Sequence, residues 1–153
     1  MAITYRHTQI GYVVLILCFL PAIVVGSILA RRPEPVGLLV LAVIVVVGIC
    51  FGSMTVQVAD GRLQWYFGPG LIRKQVAIKD ICAVTPVRNK WYYGWGIRYT
   101  PYGWLYNVSG LEAVELRLSN GKTLRLGTDR PHQLIQAIGQ QIWGNADTRT
   151  HEG

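Results

Sequence analysis

Three histidines and three cysteines are the side chains with which this chain could hold a metal or mount a nucleophile, and their spacing suits neither task. His7, His132 and His151 are isolated from one another and from any cysteine pair at ligand spacing, so each reads as a solvated side chain. Cys18, Cys50 and Cys82 form no disulfide framework and read as small apolar fillers. Neither a phosphate-cradling P-loop nor a G-x-S-x-G nucleophile elbow occurs. Asn107-Val108-Ser109 matches a glycosylation acceptor, which matters only in a eukaryotic lumen. The expectation is a protein with no catalytic residue, no metal and no cofactor.

The chemistry that remains is that of rings and cations. Between Trp91 and Tyr106 the chain places Trp91, Tyr92, Tyr93, Trp95, Tyr99, Tyr102, Trp104 and Tyr106, with Lys90 and Arg98 among them. Such a mixture suits a membrane interface, where ring bodies meet acyl chains and polar tips stay wet. It suits a protein interface equally, because aromatics and arginine concentrate at hot spots. It also suits a hairpin whose rings pack on the margin of a core, with Gly94, Gly96, Pro101 and Gly103 marking tight bends. Lys90, Trp91, Tyr93, Trp95, Arg98, Tyr102 and Trp104 are the candidate interface. The sequence pI of 9.6 fits nucleic acid nominally, but anionic lipid beside a tethered domain explains the basicity more simply, and no nucleic acid is expected.

The elements that position these residues begin with an apolar third. At 51% hydrophobic and a mean hydropathy of +0.30, the composition exceeds that of an ordinary soluble domain, and the excess lies before Ser53. Ile10 to Ala30 carries no charge, and Val36 to Gly52 is nearly all Val, Leu, Ile, Gly and Ala. A bilayer core is spanned by about 20 apolar residues, so both stretches read as transmembrane helices, the second near the lower limit. A secretory signal is the rival reading of the first, disfavoured by its length, the lack of an A-x-A site before Arg31 and the second apolar stretch. Only Arg31-Arg32-Pro33-Glu34-Pro35 lies between them, which makes an antiparallel hairpin with both chain ends on one side. Pro21 is expected to kink the first helix. Arg31 and Arg32 balance Arg6 and Arg62, but Arg73, Lys74, Lys79, Arg88 and Lys90 tip the positive-inside count toward cytoplasmic ends.

After Ser53 the period changes to two. Val56 and Val58 run into Asp60-Gly61, a type I′ signal, and Leu63, Trp65 and Phe67 return. Further strands are expected over Leu71–Ile78 and Ile81–Arg88. A last hairpin follows, with Val114, Leu116 and Leu118 turning at Asn120-Gly121 into Leu124 and Leu126. Asp129 is placed to cap a helix with Pro131 in its first turn, whose stripe of Leu134, Ile138 and Ile142, with Ile135, plugs the sheet. The organisation is thus a tail and hairpin over 1–52 (helices about 10–30 and 36–52), a β-rich domain of six or seven strands over 53–143, and a loose polar tail over 144–153.

Gly94-Trp95-Gly96-Ile97-Arg98, Tyr106-Asn107-Val108-Ser109-Gly110, Ala113-Val114-Glu115-Leu116 and Leu126-Gly127-Thr128-Asp129, in this order after a membrane hairpin, resemble the bacterial membrane proteins that carry a pleckstrin-homology-like domain. The resemblance covers Ser53 to Trp143. It implies an α+β chain in which a two-helix transmembrane hairpin precedes a PH-like antiparallel split barrel capped by a C-terminal helix, in the bacterial inner membrane. It transfers no catalytic residue. Phosphoinositide recognition needs several cations around a roomy loop between the first two strands, and Asp60-Gly61 followed by Arg62 alone does not supply them. Two functions from different classes follow. One is a scaffold that recruits a protein partner, or a second copy of itself, at the membrane surface. The other is a foot that senses anionic lipid through Trp91, Trp95, Trp104, Lys90 and Arg98. The first is preferred, because relatives lacking a head-group pocket read as scaffolds.

Overall fold

The computed structural model describes residues 3–150, with side chains from Thr4 to Ile142. His151 lies outside the described residues. The chain is α+β. Strand β1 (Ile3–Ile10) leads into helices α1 (Tyr12–Arg31) and α2 (Pro35–Phe51), and then β2 (Ser53–Ala59), β3 (Arg62–Phe67) and β4 (Ile72–Ala77) complete a first sheet in the order β1-β2-β3-β4. The second sheet holds β5 (Ile81–Arg88), β6 (Gly96–Thr100), β7 (Gly103–Asn107), β8 (Glu112–Leu118) and β9 (Thr123–Gly127), in the order β5-β8-β9-β7-β6. All pairings are antiparallel except β7 with β9. Helix α3 (Pro131–Thr150) closes the chain.

Alternation builds the core. Met54, Val56 and Val58 face Leu63, Trp65 and Phe67 across the β2–β3 register, and all six are buried. Their partners from the second sheet include Tyr106, Val114, Leu116 and Leu126, and Leu134, Ala137 and Ile138 of α3 join the same cluster. Trp65 meets Tyr106 edge to face at 5.2 Å. The expected helix stripe thus packs as a plug through Leu134 and Ile138, while Ile142 is exposed.

Burial pushes the Tyr106 hydroxyl above its ordinary pKa of 10.0, and burial, then the Asp129 carboxylate, does the same to Tyr5. Both groups hold their protons longer folded than unfolded. Their contribution to stability is therefore complete below pH 10.0 and is lost as pH rises past it through the folded values. Thermal unfolding followed across alkaline pH is expected to show falling stability above that point, and Tyr106→Phe to flatten the fall.

The helices run side by side without hiding a side chain: none in α1 or α2 is buried. Both helices are apolar along their length, with large side chains such as Leu17, Phe19, Leu38 and Leu39 exposed. α1, with 20 residues, is long and apolar enough to cross a membrane. α2 has 17 residues, about 25 Å, and begins at Pro35, where a missing N–H costs nothing. The helix α1 runs through Pro21. Of the small residues along the pair, Gly37 lies against Leu29 and Gly48 against Cys18, whereas Gly26 faces open space.

The largest departure from the expected organisation is β1. Its residues pair with β2 from Ile10↔Ser53 back to Ile3↔Ala59, so the β-rich unit begins at Ile3 and not at Ser53. It contains nine strands among the described residues, more than the six or seven expected. The loop between its first two strands is the whole helical hairpin, where Asp60-Gly61 was expected to fill that role. The outer edge of β1 is tied down as well: Gln9 Nε2 donates to Ser109 O at 2.8 Å, and Gln141 Nε2 donates to Thr4 Oγ1 at 2.6 Å.

The hairpin has no linker at its root. Gly11 N donates to Gly52 O at 2.8 Å, directly beyond the last β1–β2 pair. Phe51 and Phe67 place their rings 5.8 Å apart. Gly68, at φ +51°, lets the β3–β4 turn press on α2, where a Cβ would run into the carbonyl oxygen of Ile49.

Smaller differences have local causes. Asp60 and Gly61 adopt positive φ (49° and 71°), as a type I′ turn requires. The β8–β9 turn is one residue longer than the expected two-residue turn at Asn120-Gly121: Leu118 N donates to Lys122 O, and Gly121 N donates to Leu118 O. Asp129 does not cap α3. Its carboxylate lies 2.6 Å from His7 Nε2, which makes His7 a half-buried partner and not a solvated side chain, while Thr128 Oγ1 accepts from Arg130 N. Cys82 is exposed, unlike the apolar filler expected. Helix α3 continues to Thr150, through much of the stretch expected to be loose.

Candidate interaction surface

β5 and β6 are opposite edges of the second sheet, so residues 89–95 must cross from one edge to the other. Four strand spacings are about 19 Å, within the reach of such a segment. The core face is occupied, and the crossing takes the outer face. Two buried residues record it. Leu105 and Arg125 are partners in the β7–β9 register, and they are only 1% and 8% exposed. The crossing segment is therefore a strap over the sheet.

Arg125 is the strap's anchor. Its Nε and Nη2 donate to Glu115 Oε2 at 2.8 and 2.7 Å, its Nη1 donates to Asn89 Oδ1 at 3.3 Å, and its guanidinium stacks on the Tyr102 ring at 4.2 Å. Asn89 is further held by its own N–H on Leu111 O at 2.7 Å. The strap then makes a single 3₁₀ turn over Trp91–Tyr93. Arg98 Nε donates to Trp95 O at 3.2 Å and fastens its far end to β6.

Along this path the rings divide. Tyr93 and Trp95 are half-buried. Trp91 is 75% exposed and stands edge to face with Tyr92, over which the Lys90 ammonium sits at 5.6 Å. The Lys90 ammonium, as donor to the Tyr92 phenol oxygen and close to the neighbouring phenols, is held protonated above the usual lysine range.

The strap leaves β5 after Arg88, paired with Glu112, and enters β6 at Gly96, paired with Asn107. Both levels lie toward the hairpin, because Val108 touches the Cα side of Gly11. Tyr102 and Trp104 sit at the opposite end, on the β6–β7 turn and its exit. The expected interface is therefore spread along the sheet: Trp95 and the strap-bound Arg98 lie toward the hairpin and Trp104 toward the far end, while Arg125, held on Asn89 and stacked on Tyr102, brings the Lys90 end of the strap near Tyr102.

Tyr102 and Trp104 line a cleft of 630 Å³ with Tyr99, Pro101, Arg117 and Lys122. Tyr99 is 75% exposed and meets Trp104 edge to face at 5.5 Å. The turn that carries them is rigid. Thr100 Oγ1 donates to Gly103 O and accepts from Tyr102 N, and Gly103, at φ +102°, lies so close to Thr123 O that a side chain there would collide. Arg117, Lys122 and Arg125 were beyond reach of a local reading, since they arrive from β8, the β8–β9 turn and β9. The only sequence signal was their alternation with Leu116, Leu124 and Leu126 on strands otherwise buried.

Among the described residues no three His, Cys, Asp or Glu side chains converge as a metal site. In comparison with known proteins, the chain matches no family model, no curated protein and no solved structure.

Proposed function

We propose that this chain is a membrane-anchored interaction module, a scaffold without catalytic activity, in which α1 and α2 both span the bilayer and hold a PH-like split barrel against its cytoplasmic surface. The observation that carries the reading is the rigid aromatic cleft around Tyr99, Tyr102 and Trp104, at the end of the second sheet away from the hairpin. Exposed rings set among cations on a preorganised turn are the composition of a protein hot spot.

The hairpin reading is supported by the absence of any buried side chain in either helix and by their side-by-side packing. A cleaved signal is disfavoured for a reason additional to its sequence: cleavage after α1 would carry off β1 and leave β2 without its partner. The PH-like reading is supported by two sheets around one core with the C-terminal helix in it. Head-group capture in the usual loop is disfavoured, since that loop is the hairpin itself. The basic count of the domain favours the cytoplasmic face of a bacterial inner membrane.

The test is a photo-crosslinking amino acid at Tyr99 or Trp104 in native membranes, with exposed Gln136 on α3 as control. The expected result is discrete adducts, a second copy of the chain included, at the first two positions and not at the third, lost when Arg117 and Lys122 are changed to Glu. Equal labelling at all three positions removes the reading.

A further inference from the structure

The lipid foot weighed as the alternative uses Trp91, Trp95, Trp104, Lys90 and Arg98, but a second surface is locked to the end of α2 itself. The β3–β4 turn, Gly68-Pro69-Gly70-Leu71, rests on the last turn of α2 through Gly68, whose Cβ position lies against the backbone of Ile49 and Cys50. α2 is about 25 Å long and a hydrocarbon core is about 30 Å, so the bilayer uses the whole helix and its boundary falls at Phe51. The turn beside Cys50 sits at that boundary. At its tip Leu71 is 74% exposed, as large an apolar exposure as any outside the helices apart from the aromatic segment, and Pro69 beside it is exposed too.

Cations stand directly behind the tip. Arg73 Nε donates to Gly70 O at 2.9 Å and its guanidinium lies over the Tyr66 ring at 5.3 Å. From the other side Arg6 Nη2 donates to Tyr66 OH at 3.3 Å. Tyr66 and Arg73 line a recess of 510 Å³ with Gln64 and Gln75, their neighbours on the outer face of β3 and β4. β1 and β4 are the two edges of the first sheet, so Arg6 and Arg73 reach Tyr66 from opposite directions and leave their remaining N–H groups free for an anion.

We propose that the β3–β4 turn is a seat for anionic phospholipid of the leaflet from which the hairpin emerges: Leu71 and Pro69 enter the acyl boundary, and Arg73 and Arg6 take the head-group phosphates. The seat rests on the membrane-hairpin reading. It is made of a backbone turn locked to a helix end, so it fixes the tilt of the domain as well as its lipid preference.

The test uses the full chain with its cysteines changed to Ala, carrying a single bimane label at Leu71→Cys, Leu20→Cys or Tyr99→Cys. It is reconstituted in vesicles of phosphatidylcholine and phosphatidylglycerol in equal parts, with a nitroxide on one lipid or the other. Expected is quenching at position 71 that favours labelled phosphatidylglycerol by about fivefold per engaged cation, falling to no preference in Arg6→Gln/Arg73→Gln, with position 99 silent. Equal quenching at 71 by both lipids overturns the seat. Silence at 71 with quenching at 20 overturns the seat and leaves the hairpin standing. Silence at 20 overturns the membrane reading, and the seat with it.

Discussion

Excising residues 12–51 and joining Gly11 to Gly52 is expected to give a folded, water-soluble β-domain. The last β1–β2 pair is Ile10↔Ser53, and the excision leaves Gly-Gly between them, a two-residue loop with the freedom a tight hairpin demands. Every strand partner survives, and the exposed apolar surface of both helices is gone. The fragment 53–143 should behave in the opposite way. It lacks β1, so β2 becomes a bare edge beside a core that has lost Tyr5, and Gln141 and Asp129 lose Thr4 and His7. With only 5–15 kcal/mol of net stability typical of such a domain, that loss is expected to leave it unfolded or aggregated. Size-exclusion chromatography and circular dichroism of the two proteins decide the matter. If 53–143 is monomeric and as cooperative as the excised version, β1 is an accessory and not part of the domain.

The second large effect is expected at Arg125. Arg125→Met leaves the part-buried Glu115 carboxylate, on the wall of the cleft, without its counter-charge and removes the support of Asn89 and Tyr102. Breaking a buried pair by deleting one partner costs about 3 kcal/mol, which for a domain of this size lowers the melting temperature by about 12–20 °C. Adding Glu115→Leu should recover most of it, because an apolar pair needs no counter-charge. Measured on the excised domain, the cycle separates the pair from the strap. A neutral Arg125→Met would mean that the strap is held by its rings alone.

Some of this was legible from residue order and some could not be. The β2–β3 hairpin was readable because everything that specifies it is local: a clean alternation from Leu63 to Phe67 and two residues that accept positive φ. The strand Ile81–Arg88 and the plug face of α3 were readable for the same reason. β1 was not. Thr-Tyr-Arg-His-Thr-Gln alternates weakly, and the partner that makes it a strand lies beyond the entire hairpin. A hairpin within Trp91–Tyr106 was one reading of its bends, but the limits of β6 and β7 were masked by rings on both faces, because the strap covers the outer face and neither face is free to be polar. The same strap explains the spread of the candidate interface along the sheet. Neighbours in the chain such as Trp95 and Tyr102 are carried to different ends by one short strand, while Arg117 and Lys122 complete the cleft from strands further along. Asp129 looked like a cap because a cap is a local rule, and it was claimed by His7 from the far end of the chain.

The position of β1 ahead of the hairpin also sets an order of events during synthesis. At 5–20 residues per second the segment from Tyr12 to Phe51 takes about 2–8 s to emerge, and throughout that time β1 waits without its partner. With both helices crossing the bilayer, β1 and β2 return to the same compartment and zip together at Gly11 and Gly52. With only one helix crossing, the two strands end on opposite sides and the first sheet cannot form. If the hairpin spans the bilayer as proposed, completion of the first sheet is thus a check on insertion: a mis-threaded chain keeps a bare β2 edge, and a correctly threaded one locks its own topology by folding.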